Sequence, residues 1–375
     1  MNNLWTAALA VLVAGIVSIE VGVSSAVAEI IAGAAVKHFA GFEGDNLIEV
    51  LGRVGLLTLM YAAGLEIDFD LMRSRFKESV FIGLPSFFLP FVVVSIVSCL
   101  FLGFDKTQCF LLGIALSTTS LAIVYPQLRL KGPLSERRKG MLAAAMVTDL
   151  SSMIVFSFLF SKLSILTIEL VAGLFVLTYI VPYLGKRLFH RFGGNIVEFE
   201  FKIILFVLLS FAIAAEHAGI EAALIAFLLG MITSQLVVNH TNLHEKLQGV
   251  VFGFLAPIFF FWIGLELDLK VIWSNMGLLL ILFILCFTSK FIGTYLPSRR
   301  FFPKDAKRLG ILFNARLTLG LIVALYGVEK GFFTQRVFSA TVGCIILSSL
   351  VSSALLRRKH ASDDKKQAPL EFWKR

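Results

Sequence analysis

The sequence has little charge. Asp, Glu, Lys and Arg make up only 16% of its 375 residues, whereas charged residues are roughly 25% of an ordinary soluble domain. Hydrophobic residues make up 58%, and the mean hydropathy is +0.87. This composition excludes an ordinary soluble protein and predicts an integral membrane protein.

Motifs for nucleotide, zinc and covalent chemistry are also missing. The sequence has no GxxxxGK[ST] phosphate loop, no HExxH motif and no GxSxG motif. We therefore predict neither an enzyme nor a bound cofactor, and we expect transport to use ion gradients rather than ATP. The cysteines lack the paired spacing of a metal site, which favours small buried hydrophobic side chains at Cys99, Cys109, Cys286 and Cys344.

Long apolar runs recur along almost the whole chain. A helix of about 17 to 25 apolar residues crosses a hydrocarbon core, and a helix satisfies its own backbone groups in lipid. We predict an all-α transmembrane domain at 1–356 with about thirteen spans, followed by a basic tail at 357–375. The predicted spans are 4–21, 23–37, 47–65, 80–103, 108–126, 140–161, 163–185, 201–217, 219–238, 250–266, 275–296, 306–328 and 336–356.

Lysine and arginine are concentrated in the loops that follow odd-numbered spans. The positive-inside rule places the N-terminus outside and the tail in the cytoplasm of a cell (inner) membrane. The net charge of +9 then reflects topology and contact with the anionic lipid bilayer rather than with nucleic acid. These basic loop residues are Arg73, Arg75, Lys77, Arg129, Lys131, Arg137, Arg138, Lys139, Lys186, Arg187, Arg191, Arg299, Arg300, Lys304, Lys307 and Arg308.

One phrase occurs twice, as GLEID at 64–68 and as GLELD at 264–268, an offset of 200 residues. We infer an internal duplication with repeats at about 22–160 and 219–356, since other landmarks recur in the same order. The second copy begins seven spans after the first, and because seven is odd we predict an inverted repeat, as in many secondary transporters. Glycines at an offset of 197 are Gly22 and Gly219, Gly33 and Gly230, and Gly113 and Gly310.

Both repeats carry polar residues in the middle of a predicted span. Hydroxyl side chains compete for backbone hydrogen bonds and weaken a helix. One such cluster alone more often links neighbouring helices, but its presence in both repeats predicts two broken helices that line a polar cavity for an ion. The residues are Ser117, Thr118, Thr119 and Ser120 in ALSTTSLAIVYP, and Asn314, Arg316 and Thr318 in LFNARLTLG.

Charged residues within the predicted spans are few, and Asp149, Lys290 and Arg316 are three of them. A charge at the bilayer midplane costs about 2.5 to 3.5 kcal/mol on insertion scales, so it must pair, face water or carry function. One interpretation is a structural ion pair between Asp149 and Lys290. The other, which we favour, is that Asp149 holds a proton and an alkali cation alternately. Neutral oxygens suited to that cation are those of Thr148, Ser151 and Ser152.

The ordered motifs resemble the transmembrane domain of the monovalent cation/proton antiporter superfamily. The resemblance is to its second branch, which holds NapA-type sodium/proton and Kef-type potassium/proton antiporters. It covers about residues 4–356. The motifs are AEIIAG (28–33), AAGLEID (62–68), STTSLAIV (117–124), AAAMVTD (143–149), PIFFFWIGLELD (257–268), SKFIG (289–293) and NARLTLGLIVA (314–324).

The resemblance implies a role for each site residue. Asp149 matches the ion- and proton-binding carboxylate, and Lys290 matches the lysine that neutralises this site when the cation is absent. Ser117 to Ser120 match an unwound stretch that crosses its partner, to which Arg316 belongs. The resemblance also implies a NapA-like fold with interleaved core and scaffold subdomains, an elevator-like movement and a homodimer.

The predicted function is exchange of Na⁺ or K⁺ for H⁺. Many electrogenic relatives have two adjacent Asp residues, whereas this chain has Thr148 followed by Asp149. One carboxylate favours electroneutral exchange of one proton for one cation. A proton from Lys290 would add a second proton to each exchange. The alternative is a sodium-coupled symporter of an organic anion with a related fold. Glu29, Glu66 and Glu266 are candidates for the ion path. For Glu29 a structural role is favoured, and Glu66 and Glu266 could equally pair with Arg73 or Lys270.

Overall fold

The computed structural model describes residues 2–42, 45–129, 135–160, 165–180, 199–238 and 241–367. All regular elements in these ranges are helical. The first half contains α1 (Asn2–Val21), α2 (Ser25–Ala40), α3 (Asn46–Leu65), α4 (Phe69–Ser74), α5 (Phe76–Leu100), α6 (Lys106–Ala115), α7 (Leu121–Arg129), α8 (Glu136–Phe160) and α9 (Ile165–Ile180).

The second half begins with α10 (Phe199–Ala218) and α11 (Ala222–Val238). A long helix follows, made of α12 (Thr241–Val250), a π-helical turn (Val251–Leu255) and α13 (Ala256–Glu266). The last elements are α14 (Leu269–Ser274), α15 (Met276–Phe301), α16 (Ala306–Leu312), α17 (Thr318–Glu329) and α18 (Gln335–Gln367). The order from α11 to α18 repeats the order from α2 to α8, which agrees with the duplication inferred from sequence.

Seven described helices are long and apolar enough to cross a membrane, and they make the chain a multi-pass membrane protein. They are Asn3–Val21, Asn46–Leu65, Phe76–Leu100, Glu136–Phe160, Leu243–Glu266, Met276–Phe301 and Gln335–Arg357. Shorter apolar helices are Ile165–Leu177, Ala222–Val237 and Thr318–Glu329. The all-α prediction is confirmed, whereas the count of thirteen spans stays a prediction. Lys131, Lys186, Arg187, Arg191 and the end of the tail lie outside the described residues.

The chain divides into two compact units. Unit 1 contains Met1–Val21, Ala28–Asp70 and Met153–Asp268. Unit 2 contains Gly22–Val27, Leu71–Ser152 and Leu269–Arg375. Each unit therefore takes segments from both repeats, and each of them is described by itself below.

Unit 1 shows why the GLE phrase occurs twice. Gly64 on α3 packs against Gly230 on α11, and a Cβ at Gly64 would lie 2.2 Å from the Phe227 carbonyl oxygen. The repeat-related contact joins Gly264 on α13 to Gly33 on α2, where a Cβ at Gly264 would lie 2.2 Å from the Ile30 carbonyl oxygen. Only glycine fits such backbone approaches, so each glycine of one repeat faces a glycine of the other.

Glycine also ends the helix that precedes each of these contacts. Gly22 follows α1 with φ of 62°, and its repeat counterpart Gly219 follows α10 with φ of 73°. Left-handed backbone after a helix is the common C-terminal cap and favours glycine. The recurring glycines thus encode the same turn twice and the same close contact twice.

In unit 2, α5 packs along α15. Thr294 donates a hydrogen bond to the Ser86 hydroxyl at 2.9 Å, and a Cβ at Gly293 would lie 2.6 Å from the Pro85 carbonyl oxygen. Thr148 on α8 donates to the Gly83 carbonyl oxygen of α5 at 3.2 Å. Small and hydroxyl side chains let helix backbones approach closely in a membrane, and here they hold α5 between α8 and α15.

A disulfide joins Cys99 near the end of α5 to Cys109 in α6, with 5.7 Å between the Cα atoms. The interpretation of all four cysteines as buried apolar side chains was therefore wrong for this pair. The sequence did not reveal the bond because the two residues lie on separate helices that the connection after α5 brings together. Cys286 and Cys344 are free and buried, as predicted.

Candidate functional site

The first broken helix runs from α6 to α7. Asp105 and Gln108 form a capping box that begins α6, and the helix ends at Ala115. The following residues 116–120 are not helical, and all five are buried. Ser117 and Thr118 donate their hydroxyls to the Ile114 and Ala115 carbonyls at 3.0 and 3.2 Å. The Ile114 carbonyl also accepts the Ser117 amide at 3.1 Å, so these hydroxyls bind carbonyls at the end of the interrupted helix.

The second broken helix runs from α16 to α17. Residues 313–317 lie between the half-helices and are all buried. The Asn314 side chain donates to the Gly310 carbonyl oxygen at 2.9 Å. As in the first break, a side-chain donor takes the place of a backbone donor at the end of a half-helix.

The two breaks contact each other directly. The Ser120 amide donates to the Ala315 carbonyl oxygen at 2.9 Å, and the Thr119 hydroxyl donates to the Phe313 carbonyl oxygen at 3.2 Å. The Ser120 hydroxyl oxygen is buried and makes no hydrogen bond within the described part of the chain. The prediction that the unwound stretches meet is confirmed, and their half-helix ends bring partial charges of both signs to one place.

Lys290 reaches the first break from α15. The side chain is fully buried, and its ammonium nitrogen donates to the Ser117 carbonyl oxygen. A buried lysine thus binds the backbone that the sequence marked as an ion site.

Asp149 lies in α8 and is 8% exposed. The hydroxyl groups around it are engaged with backbone carbonyls: Ser152 donates to the Asp149 carbonyl oxygen at 2.6 Å and Ser151 to that of Val147 at 2.7 Å. Thr148 donates to the Ala144 carbonyl oxygen at 3.0 Å as well as to α5. The roles of Thr148 and Ser152 as ion ligands therefore stay predictions. Their hydroxyl hydrogens are donated to carbonyl oxygens, so a cation would contact the lone pairs of the hydroxyl oxygens.

Arg316 lies in the second break and is fully buried. Its guanidinium donates to the Cys286 sulfur at 2.6 Å, to the Cys286 carbonyl oxygen at 2.8 Å and to the Asn314 side-chain oxygen at 3.0 Å. Sequence reasoning missed Cys286. The available signal was its spacing, since Cys286 precedes Lys290 by four residues and so lies on the same face of α15.

Ser349 on α18 lies beside the second break. Its hydroxyl accepts the Arg316 amide at 3.2 Å and donates to the Arg316 carbonyl oxygen. The second break is therefore held by the neutral hydroxyl of Ser349.

The three glutamates predicted for the ion path belong to unit 1. Glu29 on α2 is 5% exposed, whereas Glu66 after α3 and Glu266 at the end of α13 are half-buried. Asp149, Lys290, Arg316 and the two breaks all belong to unit 2. The ion-path role of these glutamates stays a prediction.

The family model described as "Sodium/hydrogen exchanger, transmembrane" matches residues 7–358. The chain belongs to this family. The resemblance inferred from the ordered motifs is thus confirmed, and the match includes both broken helices and the three buried charges of unit 2. The family is one of transporters.

Two similar relatives match almost end to end. The Na(+)/H(+)-K(+) antiporter GerN of Bacillus cereus is 27% identical over 365 residues, which are 94% of this chain and 94% of that protein. Probable Na(+)/H(+) antiporter 3 of Methanocaldococcus jannaschii is 26% identical over 342 residues, which are 86% of this chain and 87% of that protein.

Among solved structures, the sodium proton antiporter MjNhaP1 of Methanocaldococcus jannaschii has a similar fold. One structure of it matches with a TM-score of 0.68 and 13% identity, over 94% of this chain and 96% of that one. A second, from electron microscopy, gives a TM-score of 0.70 and 14% identity. The predicted antiporter fold is therefore confirmed.

Proposed function

We propose that this protein exchanges Na⁺ or K⁺ for H⁺ across a membrane, with Asp149 holding the proton and the cation alternately. The observation that carries this proposal is the meeting of two interrupted helices in unit 2, where a buried lysine binds the first break and which also contains the buried carboxylate of Asp149. Relatives named as Na(+)/H(+) antiporters support it across nearly the full length. No comparison favours a symporter of organic anions.

Lys290 balances the charge of Asp149 in the proposed cycle. When no cation is bound, the Lys290 ammonium lies at the first break and compensates the ionised carboxylate. A cation bound at Asp149 compensates the carboxylate charge in place of Lys290. A proton bound at Asp149 neutralises the carboxylate, which then needs no compensating charge. Buried charges are costly unless they are paired, so the site holds either ion but not both.

The proposed exchange is electroneutral. Asp149 is preceded by Thr148 rather than by a second carboxylate. A single carboxylate that binds either a proton or a monovalent cation exchanges one proton for one cation. A proton released by Lys290 as well would make the exchange electrogenic, and a voltage clamp distinguishes the two.

The proposed orientation is N-terminus outside and basic tail in the cytoplasm of the cell membrane. This topology puts the end of α5 on the outer side, where the Cys99–Cys109 disulfide lies. Disulfides persist in oxidising compartments, which supports the orientation independently of the positive charges. We also propose a homodimer and an elevator-like movement, both implied by the family resemblance.

Exchange in liposomes tests the proposal. Purified protein is reconstituted with a trapped pH dye, the vesicles are acid-loaded, and Na⁺, K⁺ or Li⁺ is added with and without a potassium–valinomycin clamp. We expect cation-evoked alkalinisation that Asp149→Asn abolishes and that the matched control Asp70→Asn, an exposed carboxylate on α4, retains. Proton-coupled exchange by Asp149→Asn at the wild-type rate would refute the proposal.

A further inference from the structure

Arg316 is a buried cation without a carboxylate partner. Among the ion pairs of the described residues, none includes Arg316. Its hydrogen-bond acceptors are the sulfur and carbonyl oxygen of Cys286 and the side-chain oxygen of Asn314. A fully buried guanidinium that faces only neutral acceptors is strongly disfavoured.

The buried charges of unit 2 also do not balance. Its fully or nearly fully buried charged side chains, within the described residues, are Asp149, Lys290 and Arg316. In the cation-free state of the proposed cycle, Lys290 compensates the charge of Asp149. Arg316 then remains as an extra positive charge in the interior. A second anion, independent of the cycle, would remove this imbalance.

Cys286 is the one described group beside Arg316 that can supply this charge. Its sulfur lies 2.6 Å from the Arg316 Nη1 atom, 3.4 Å from the Cys344 sulfur and 4.0 Å from the Ser348 hydroxyl oxygen. A cation and neutral donors around a sulfur stabilise the thiolate. The Phe283 carbonyl oxygen, 3.4 Å away, is the acceptor that a neutral thiol would use instead.

We propose that Cys286 is the anionic partner of Arg316, held as a thiolate by the guanidinium, the Cys344 thiol and the Ser348 hydroxyl. The pair fixes the second break in place, so Cys286 is a positioning residue. If the proposed function is correct, this pair leaves Asp149 as the group that exchanges a proton for a cation during the cycle.

Infrared spectroscopy of the S–H stretch tests the thiolate directly. In Cys344→Ser, Cys286 is the sole free cysteine, and in Cys286→Ser the sole free cysteine is Cys344. We expect no S–H band from purified Cys344→Ser and one band from Cys286→Ser, with one thiol counted in each protein after denaturation. An S–H band of equal intensity in both variants would show a neutral Cys286 and overturn the proposal.

Thermal unfolding and exchange of the same variants test the positioning role. We expect Cys286→Ser to lower the unfolding temperature and the exchange rate, while Cys344→Ser, the same change at the adjacent sulfur, has a smaller effect. Cys286→Asp restores the negative charge and should recover both values relative to Cys286→Ser. Equal losses in Cys286→Ser and Cys286→Asp would contradict the need for an anion. The S–H band does not depend on transport, so it is informative even if no ion is exchanged.

Discussion

At the scale of single residues, the site depends on how each buried charge is compensated. Lys290 binds the Ser117 carbonyl of the first break, and Arg316 binds Cys286 on the same helix as Lys290. Both cations belong to the second repeat: Lys290 reaches the first break from α15, and Arg316 in the second break contacts α15. In the proposed cycle Lys290 stabilises the ionised form of Asp149, while Arg316 contacts α15 from the second break.

Replacement of Lys290 by Ala should shift the activity profile toward alkaline pH. Without the Lys290 ammonium, the ionised form of Asp149 is less stable, so Asp149 keeps its proton to higher pH. The exchange rate in liposomes is measured over a range of pH, with Lys270→Ala as a control for an exposed lysine. An unchanged profile in Lys290→Ala would indicate that Lys290 has a purely structural role.

Much of the site could be predicted at this scale because charged and hydroxyl residues are rare within apolar spans. Asp149, Lys290 and Ser117 to Ser120 stood out for that reason. Cys286 did not, because cysteine is common in apolar helices and its contact with Arg316 depends on the packing of α15 against the second break. The Cys99–Cys109 bond was missed for a similar reason, since pairing across two helices leaves no spacing signal.

At the scale of helices, the two repeats form equivalent helix–helix contacts. The contact of α3 with α11 through Gly64 and Gly230 is related to that of α13 with α2 through Gly264 and Gly33. The repeated glycines and hydroxyl clusters predicted the breaks and the duplication. The short helices α4 and α14 were not predicted, because six residues are too few to give a hydrophobic period.

Gly64→Ala should destabilise the protein by about 1 to 3 kcal/mol, the usual cost of overpacking. Its Cβ would lie 2.2 Å from the Phe227 carbonyl oxygen, so α3 and α11 must separate. Gly15→Ala is the matched control, because nothing lies within 4 Å of a Cβ at this helical position. Thermal unfolding in detergent compares the two. Equal unfolding temperatures would contradict the close contact.

At the scale of the whole molecule, the inverted repeat makes a prediction about sidedness. Residues after Asp68 and after Asp268 occupy equivalent positions of the two repeats, at the starts of α4 and α14. If the second copy is upside down, tags inserted there face opposite sides of the membrane. Labelling of intact cells with a membrane-impermeant reagent checks this. Labelling of both tags from one side would refute the inversion.

Release of protons on cation binding is the most direct test of the claim that Asp149 alternates between a proton and a cation. Purified protein in weakly buffered detergent solution, at a pH where the site is protonated, is titrated with Na⁺ or K⁺ while the solution pH is recorded. The account predicts about one proton released for each cation bound, with none from Asp149→Asn. Cation binding without proton release, or unchanged release from Asp149→Asn, would contradict it.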